Sequence, residues 1–237
     1  MVLSAPTWFW RVSAVADGFR LRVCFGKTGR LRYLSHLECA RACERAVRRA
    51  GLPYAVSQGF TPRMRMAFGP ALPVGTAGER EYYDVVLRRF VDPVEAYEAL
   101  RRASAADMMP RACAYVAPDG PSLGAAVRIA VYELSVEGGT SPREIERMLA
   151  DTVRAGTLGV EHKGKHKVFD LAEALPKEPE VTSDEGRTTI RTWVRMGDRG
   201  SLRPEALVTA ALGRDTRMRV TRVDLLIEQD EAWRRPL

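Results

Sequence analysis

The side chain whose neighbours best define its placement is His36. It lies in Ser35-His36-Leu37-Glu38, a capping box in which the Ser35 hydroxyl accepts from the Glu38 backbone N–H and the Glu38 carboxylate reaches back to that of Ser35. His36 is thereby set in the first turn of a helix, where the dipole lowers an imidazole pKa and suits a neutral base or a hydrogen bond to substrate. Tyr33, just upstream, is its candidate companion. The same position equally suits a histidine that only braces the loop before the helix. His36, Cys39 and Cys43 share one helical face, but both cysteines fall on the apolar stripe and no fourth ligand is evident, so no metal is expected. Two further histidines, in His162-Lys163-Gly164-Lys165-His166, have metal spacing only on a helix, and Gly164 reads instead as an exposed basic turn. Gly26-Lys27-Thr28-Gly29 is too short for a phosphate-binding loop and lacks its Gly-Lys-Ser/Thr ending. Glu81 and Asp84 point to opposite faces of a regular strand, which disfavours a two-carboxylate reaction and leaves them as ion-pair partners for arginines.

Binding chemistry has more residues behind it. The chain has 237 residues and a net charge of +7, yet the stretch Arg20 to Gly75 alone carries eleven basic residues against Glu38 and Glu44, a net +9, which leaves the rest near −2. Guanidinium groups bind phosphate bidentately and release counterions, so Lys27, Arg30, Arg32, Arg63 and Arg65 are the expected phosphate contacts. Ser57-Gln58-Gly59-Phe60 precedes two of them. Gly59 allows close backbone approach, Phe60 offers a stacking face and Gln58 can read a base edge, which together would make a single-strand surface. The competing readings are a solvated arginine face and a tight loop whose Phe60 packs into the core.

The elements that must hold these residues follow from periodicity. Leu21, Val23 and Phe25 alternate with Arg20, Arg22 and Cys24 as in a half-buried strand. A helix follows Ser35, runs to about Ala50 and stops at Gly51. Arg63 to Phe68 reads as a strand with Met64, Met66 and Phe68 inward, and Glu81 to Arg88 as another. Pro93 to Arg102 reads as a helix and Pro110 to Ala117 as a strand. Beyond Pro118-Asp119-Gly120-Pro121 the order recurs: strand Val127 to Val136, helix from Ser141-Pro142, strands Val160 to Leu171 and Thr188 to Met196, helix Pro204 to Leu212, strand Met218 to Glu228. The expected fold is α+β, two tandem ferredoxin-like (split βαβ) units with antiparallel sheets. Their boundaries are a leader over 1–19, a basic unit over 20–117, a linker over 118–126, a second unit over 127–229 and a tail over 230–237.

With 46% hydrophobic and 28% charged residues, disorder is excluded, and no apolar run reaches membrane-spanning length. Cys24, Cys39, Cys43 and Cys113 sit in predicted strand or helix, which fits a reducing cytoplasm. Residues 1–19 imitate an export signal only weakly, since no Lys or Arg precedes the apolar stretch that holds Trp8-Phe9-Trp10, and Pro6 and Arg11 interrupt that stretch. There is no three-cysteine iron–sulfur motif either.

The segments Gly26 to Glu38, Glu44 to Pro53, Ser57 to Pro62, Phe68 to Gly75 and Glu81-Tyr82-Tyr83-Asp84, in that order, resemble the bacterial radical SAM-linked protein family. That is a domain of unknown function fused to, or encoded beside, a radical SAM enzyme. Glu38 stands where the family usually has Asp, which preserves the cap, and Arg63 where a histidine often follows the proline. The resemblance implies a partner enzyme that carries the iron–sulfur cluster and S-adenosylmethionine, with no cofactor in this chain. The expected function is an accessory module that binds RNA, tRNA or rRNA, for modification by that partner. The alternatives are a metal-free endoribonuclease resembling the enzymes that process CRISPR RNA, with His36 assisting 2′-hydroxyl attack, and a protein-interaction scaffold.

Overall fold

The computed structural model describes residues 18–162, 164–197 and 200–237. The first half comprises β1 (Phe19–Lys27), a 3-10 helix (Gly29–Tyr33), α1 (His36–Arg49), β2 (Met66–Phe68), β3 (Ala77–Leu87), α2 (Pro93–Ala103) and β4 (Pro110–Tyr115). The single turn α3 (Leu123–Ala126) leads into β5 (Val127–Glu137), α4 (Pro142–Arg154), the hairpin β6 (Thr157–His162) and β7 (Lys165–Asp170), and the turn α5 (Leu171–Ala174). The chain closes with β8 (Glu180–Asp184), β9 (Arg187–Arg195), α6 (Pro204–Leu212), β10 (Arg217–Gln229) and β11 (Ala232–Arg234).

The helix starts form where their caps put them. Ser35 accepts from the Glu38 N–H at 3.4 Å while the Glu38 carboxylate accepts from the Ser35 N–H at 2.8 Å. Ser141 caps α4 with Pro142 at its first position, where a missing N–H costs nothing. Asp92, in the same way, caps α2 ahead of Pro93.

The fold is mixed α+β with a mostly antiparallel sheet. In the first half the order is β4-β1-β3, with β2 on the far side of β3, and in the second it is β10-β5-β9-β8. Every pairing within each half is antiparallel. The halves do not form the two separate sheets expected. They join where β3 and β10 run parallel, with Ala77 opposite Thr221 and Gly78 opposite Arg222, into one nine-stranded sheet. Leu21, Val23 and Phe25 pack with Val47, Val85 and Leu100 beneath α1 and α2. Leu134, Ile145, Ile190 and Leu207 form the second core, which also takes in Cys24 and Tyr82 from the first half.

Several boundaries move as a result. The linker expected over 118–126 ends in α3, whose Leu123 is fully buried in the second core, so this connection is packed in place. The tail expected over 230–237 returns as β11, after which Arg235 donates to Asp224 at 2.7 Å and the Pro236 carbonyl accepts from Arg22 at 3.2 Å. The strand expected over 160–171 is the β6–β7 hairpin, reversed at Gly164 with φ 71°, a conformation that favours glycine. Of the expected leader, residues 1–17 lie outside the described residues, and Phe19 already belongs to β1.

Candidate nucleic-acid interface

Charge in the first half is sorted by burial. Arg20 and Arg22 extend from one face of β1, and Asp84 sits directly across from Arg22 on β3. Asp84 is buried, accepting from Arg22 Nε at 2.7 Å and Arg20 Nε at 2.8 Å. Glu81, on the opposite face, accepts from Arg222 Nε at 2.9 Å, and Arg222 also donates to the Pro70 carbonyl at 2.7 Å. Arg222 is 0% exposed. Burial, the largest single influence, works against its charge, but Glu81 and Tyr132 together outweigh it and hold the guanidinium protonated, with its pKa raised. The expectation that Glu81 and Asp84 serve as ion-pair partners describes this arrangement, with Arg222 as a member the sequence reading missed. Its signal was an arginine set among Val220, Val223 and Leu225 in an otherwise apolar strand.

Lys27 departs from its expected role. It is 2% exposed: β1 bulges between Phe25 and Lys27, and the side chain lies in a small cavity with His36, Cys39 and Glu81, where Nζ donates to the Leu34 carbonyl at 2.7 Å. Burial lowers its pKa. A buried ammonium cannot reach a phosphate on the surface, so Lys27 is a structural brace.

The remaining expected residues fall into two groups. Ser57 to Arg63 forms a tight hairpin: the Ser57 N–H donates to the Arg63 carbonyl at 2.8 Å, and the Arg63 N–H to the Ser57 hydroxyl at 3.1 Å. Val56 and Met64 bridge at its base, and Met64 is buried. Gly59, with φ 149°, sits in the turn beside Gln58 and Phe60. Phe60 is fully exposed, so it does not pack into the core. Arg63 and Arg65 are exposed on the arm that continues into β2. That strand carries Phe68, whose ring and the His36 imidazole meet nearly perpendicular, centroids 5.7 Å apart. His36 is exposed and thus shares the β2 side of the molecule with the hairpin.

The second group is on the 3-10 helix. Arg30, Arg32 and Tyr33 line a groove between this helix and β10, with Tyr33 67% exposed. No hydrogen bond or ring contact joins Tyr33 to His36, so the pair envisaged from their sequence proximity is not assembled. Cys39 and Cys43 are buried in the first core, and among the described residues no cluster of three metal-ligating side chains occurs. No helix among those residues is long and apolar enough to cross a membrane. The side chains of His162, Lys163 and Lys165 lie outside the described residues.

A family model described as uncharacterized protein conserved in bacteria (DUF2344) matches residues 20–204. The chain belongs to that family. Its matched span holds the hairpin, the 3-10 helix, His36, Glu81 and Asp84, while Arg222 and the rest of β10 follow it. Among solved structures, a Cbf5-Nop10-Gar1 complex is similar at 13% identity and a TM-score of 0.46, over 86% of this chain and 48% of that one. This chain therefore spans about half the length of that relative. An unknown protein from Galdieria sulphuraria is similar at 15% identity and a TM-score of 0.25, over 85% of this chain and 98% of that one. No curated protein matches the sequence.

Proposed function

We propose that this protein is an accessory module that binds RNA, tRNA or rRNA, at the 57–65 hairpin and the adjoining start of α1, and presents it to a radical SAM enzyme. The observation that carries this reading is Phe60: a fully exposed aromatic on a hairpin too tight to fold it inward, followed at once by exposed arginines. An exposed ring costs hydration unless a partner covers it, and a nucleobase stacks on such a ring while guanidinium groups hold the backbone. Gln58 and His36 flank the strand as hydrogen-bonding groups. The radical SAM partner, with its iron–sulfur cluster and S-adenosylmethionine, is supported by the resemblance of the same segments. The strand order in both halves, each reading fourth-first-third-second, supports two ferredoxin-like units fused edge to edge. Four free cysteines support a cytoplasmic setting.

Titration of a single-stranded RNA at several salt concentrations tests the interface. Replacing Arg63 and Arg65 with alanine removes two phosphate contacts and should flatten the log–log salt slope by about 1.4, at roughly 0.7 per contact. An unchanged slope rejects the interface. Cleavage of that RNA, lost in His36→Ala, would replace the accessory reading with a metal-free endoribonuclease.

A further inference from the structure

β10 is lined along one edge by β5 over nearly its whole length. Among the described residues, its other edge is partnered at Thr221 and Arg222 by β3, and from Ile227 to Gln229 by β11. β3 begins at Ala77, opposite Thr221, and upstream of that point the chain leaves the sheet. Gly75, at φ 91°, turns its N–H away from β10 to donate to the Arg32 carbonyl at 3.0 Å. The stretch Arg217 to Val220 therefore keeps one row of backbone N–H and C=O groups without a ladder partner among the described residues. This row forms one wall of a groove of about 640 Å³, and the 3-10 helix with Val74, Gly75 and Thr76 forms the other.

The charges around the groove are unequal. Arg30, Arg32 and Arg219 line it against the single acid Glu205. Arg219 touches Glu137 only at 3.8 Å, across a pair that is largely exposed. Glu205 Oε2 is buried without a hydrogen-bond partner, an acceptor waiting for an N–H.

We infer that this edge docks an extended acidic segment of a protein partner, which adds to β10 as a further strand. Unpaired donors and acceptors at strand spacing match a peptide backbone and do not match a ribose-phosphate chain. The arginines repel basic strands and attract acidic ones, so they guard the edge and select its occupant. This surface is separate from the 57–65 hairpin and does not depend on RNA binding there.

The test uses the full chain and fluorescent octapeptides that alternate Glu with Val or Thr. Binding is expected, with hydrogen exchange across Arg217 to Val220 slowed about tenfold at saturation. Arg219→Glu and Arg30→Glu should each weaken binding by about tenfold, while Phe60→Ala leaves it unchanged. N-methylation of alternate peptide residues keeps the charge, removes the backbone pairing and should abolish binding. The inference is overturned if no octapeptide of the set binds, if the N-methylated peptides bind as well, or if single-stranded RNA protects this edge instead. Because RNA binding is read through Phe60 and Arg63, its failure is distinguishable from failure here.

Discussion

Arg20-Leu21-Arg22 and Arg63-Met64-Arg65 are the same local pattern, two arginines flanking an apolar residue in extended chain. In both the central residue is buried in the first core. Around β1 the arginines then turn into the protein, because Asp84 stands across from Arg22 on the neighbouring strand. Beside the hairpin, the position facing Arg65 is Val86, whose N–H donates to the Arg65 carbonyl at 3.0 Å, and the Arg65 side chain is exposed. The cross-strand neighbour decides whether an arginine braces the fold or faces solvent. Arg30-Leu31-Arg32 in the 3-10 helix and Arg217-Met218-Arg219 in β10 repeat the order of residue types, and Arg30, Arg32 and Arg219 line the groove between them.

This contrast is broken most severely at Glu81. Glu81→Ala strands the buried Arg222 and should cost about 3–5 kcal/mol, read by denaturant unfolding. Replacing both, Glu81→Leu with Arg222→Met, should recover most of that loss, since an apolar pair of similar volume needs no charge compensation. A double variant as unstable as the single one would show that the pair does more than neutralise itself. Asp84→Asn leaves Arg20 and Arg22 with an uncharged acceptor and should cost about 1–3 kcal/mol, whereas Arg63→Ala should stay within about 0.5 kcal/mol. Equal losses at the two sites would erase the distinction drawn here.

Phe60→Ala addresses the exposed side of the comparison. It should leave unfolding unchanged and weaken single-stranded RNA binding by about 1–3 kcal/mol, the range of one base–aromatic stack. Loss of stability without loss of binding would contradict the assignment.

The smallest effect concerns Glu38. Hydrogen bonds from the Ser35 hydroxyl and backbone N–H hold its carboxyl below the ordinary 4.5. A value depressed in the folded state means that the cap contributes fully above the ordinary range and is lost as pH falls through the lowered value. An NMR titration should show Glu38 returning toward its ordinary value in Ser35→Ala, and an identical titration in both proteins would refute the capping assignment.

Much of this is legible in the sequence because it is local. The capping box, the starts of α2 and α4 after a capping residue and proline, and the alternation of β1 all depend on residues within a few positions of one another. The short strand β8 is less visible, since five residues carry too little periodicity, and β2 is shorter than the strand read over Arg63 to Phe68. Tyr33 and His36, three positions apart, are expected from the sequence to act together, but Tyr33 ends the 3-10 helix and lines its groove, while His36 starts α1 and meets the ring of Phe68.

Sequence alone determined where the charge lies, where α1, α2, α4 and α6 form and where the long strands β1, β3, β5, β9 and β10 run, because propensity, capping and two-residue alternation are properties of neighbouring residues. Tertiary structure decided which charges are buried. Lys27 is buried beside a bulge, Arg20 and Arg22 are claimed by a residue more than sixty positions away, and Arg222 and Glu81 meet 141 positions apart to fuse two units into one sheet. An arginine's role depends on what stands across the strand from it, and that is fixed only when the strands pair.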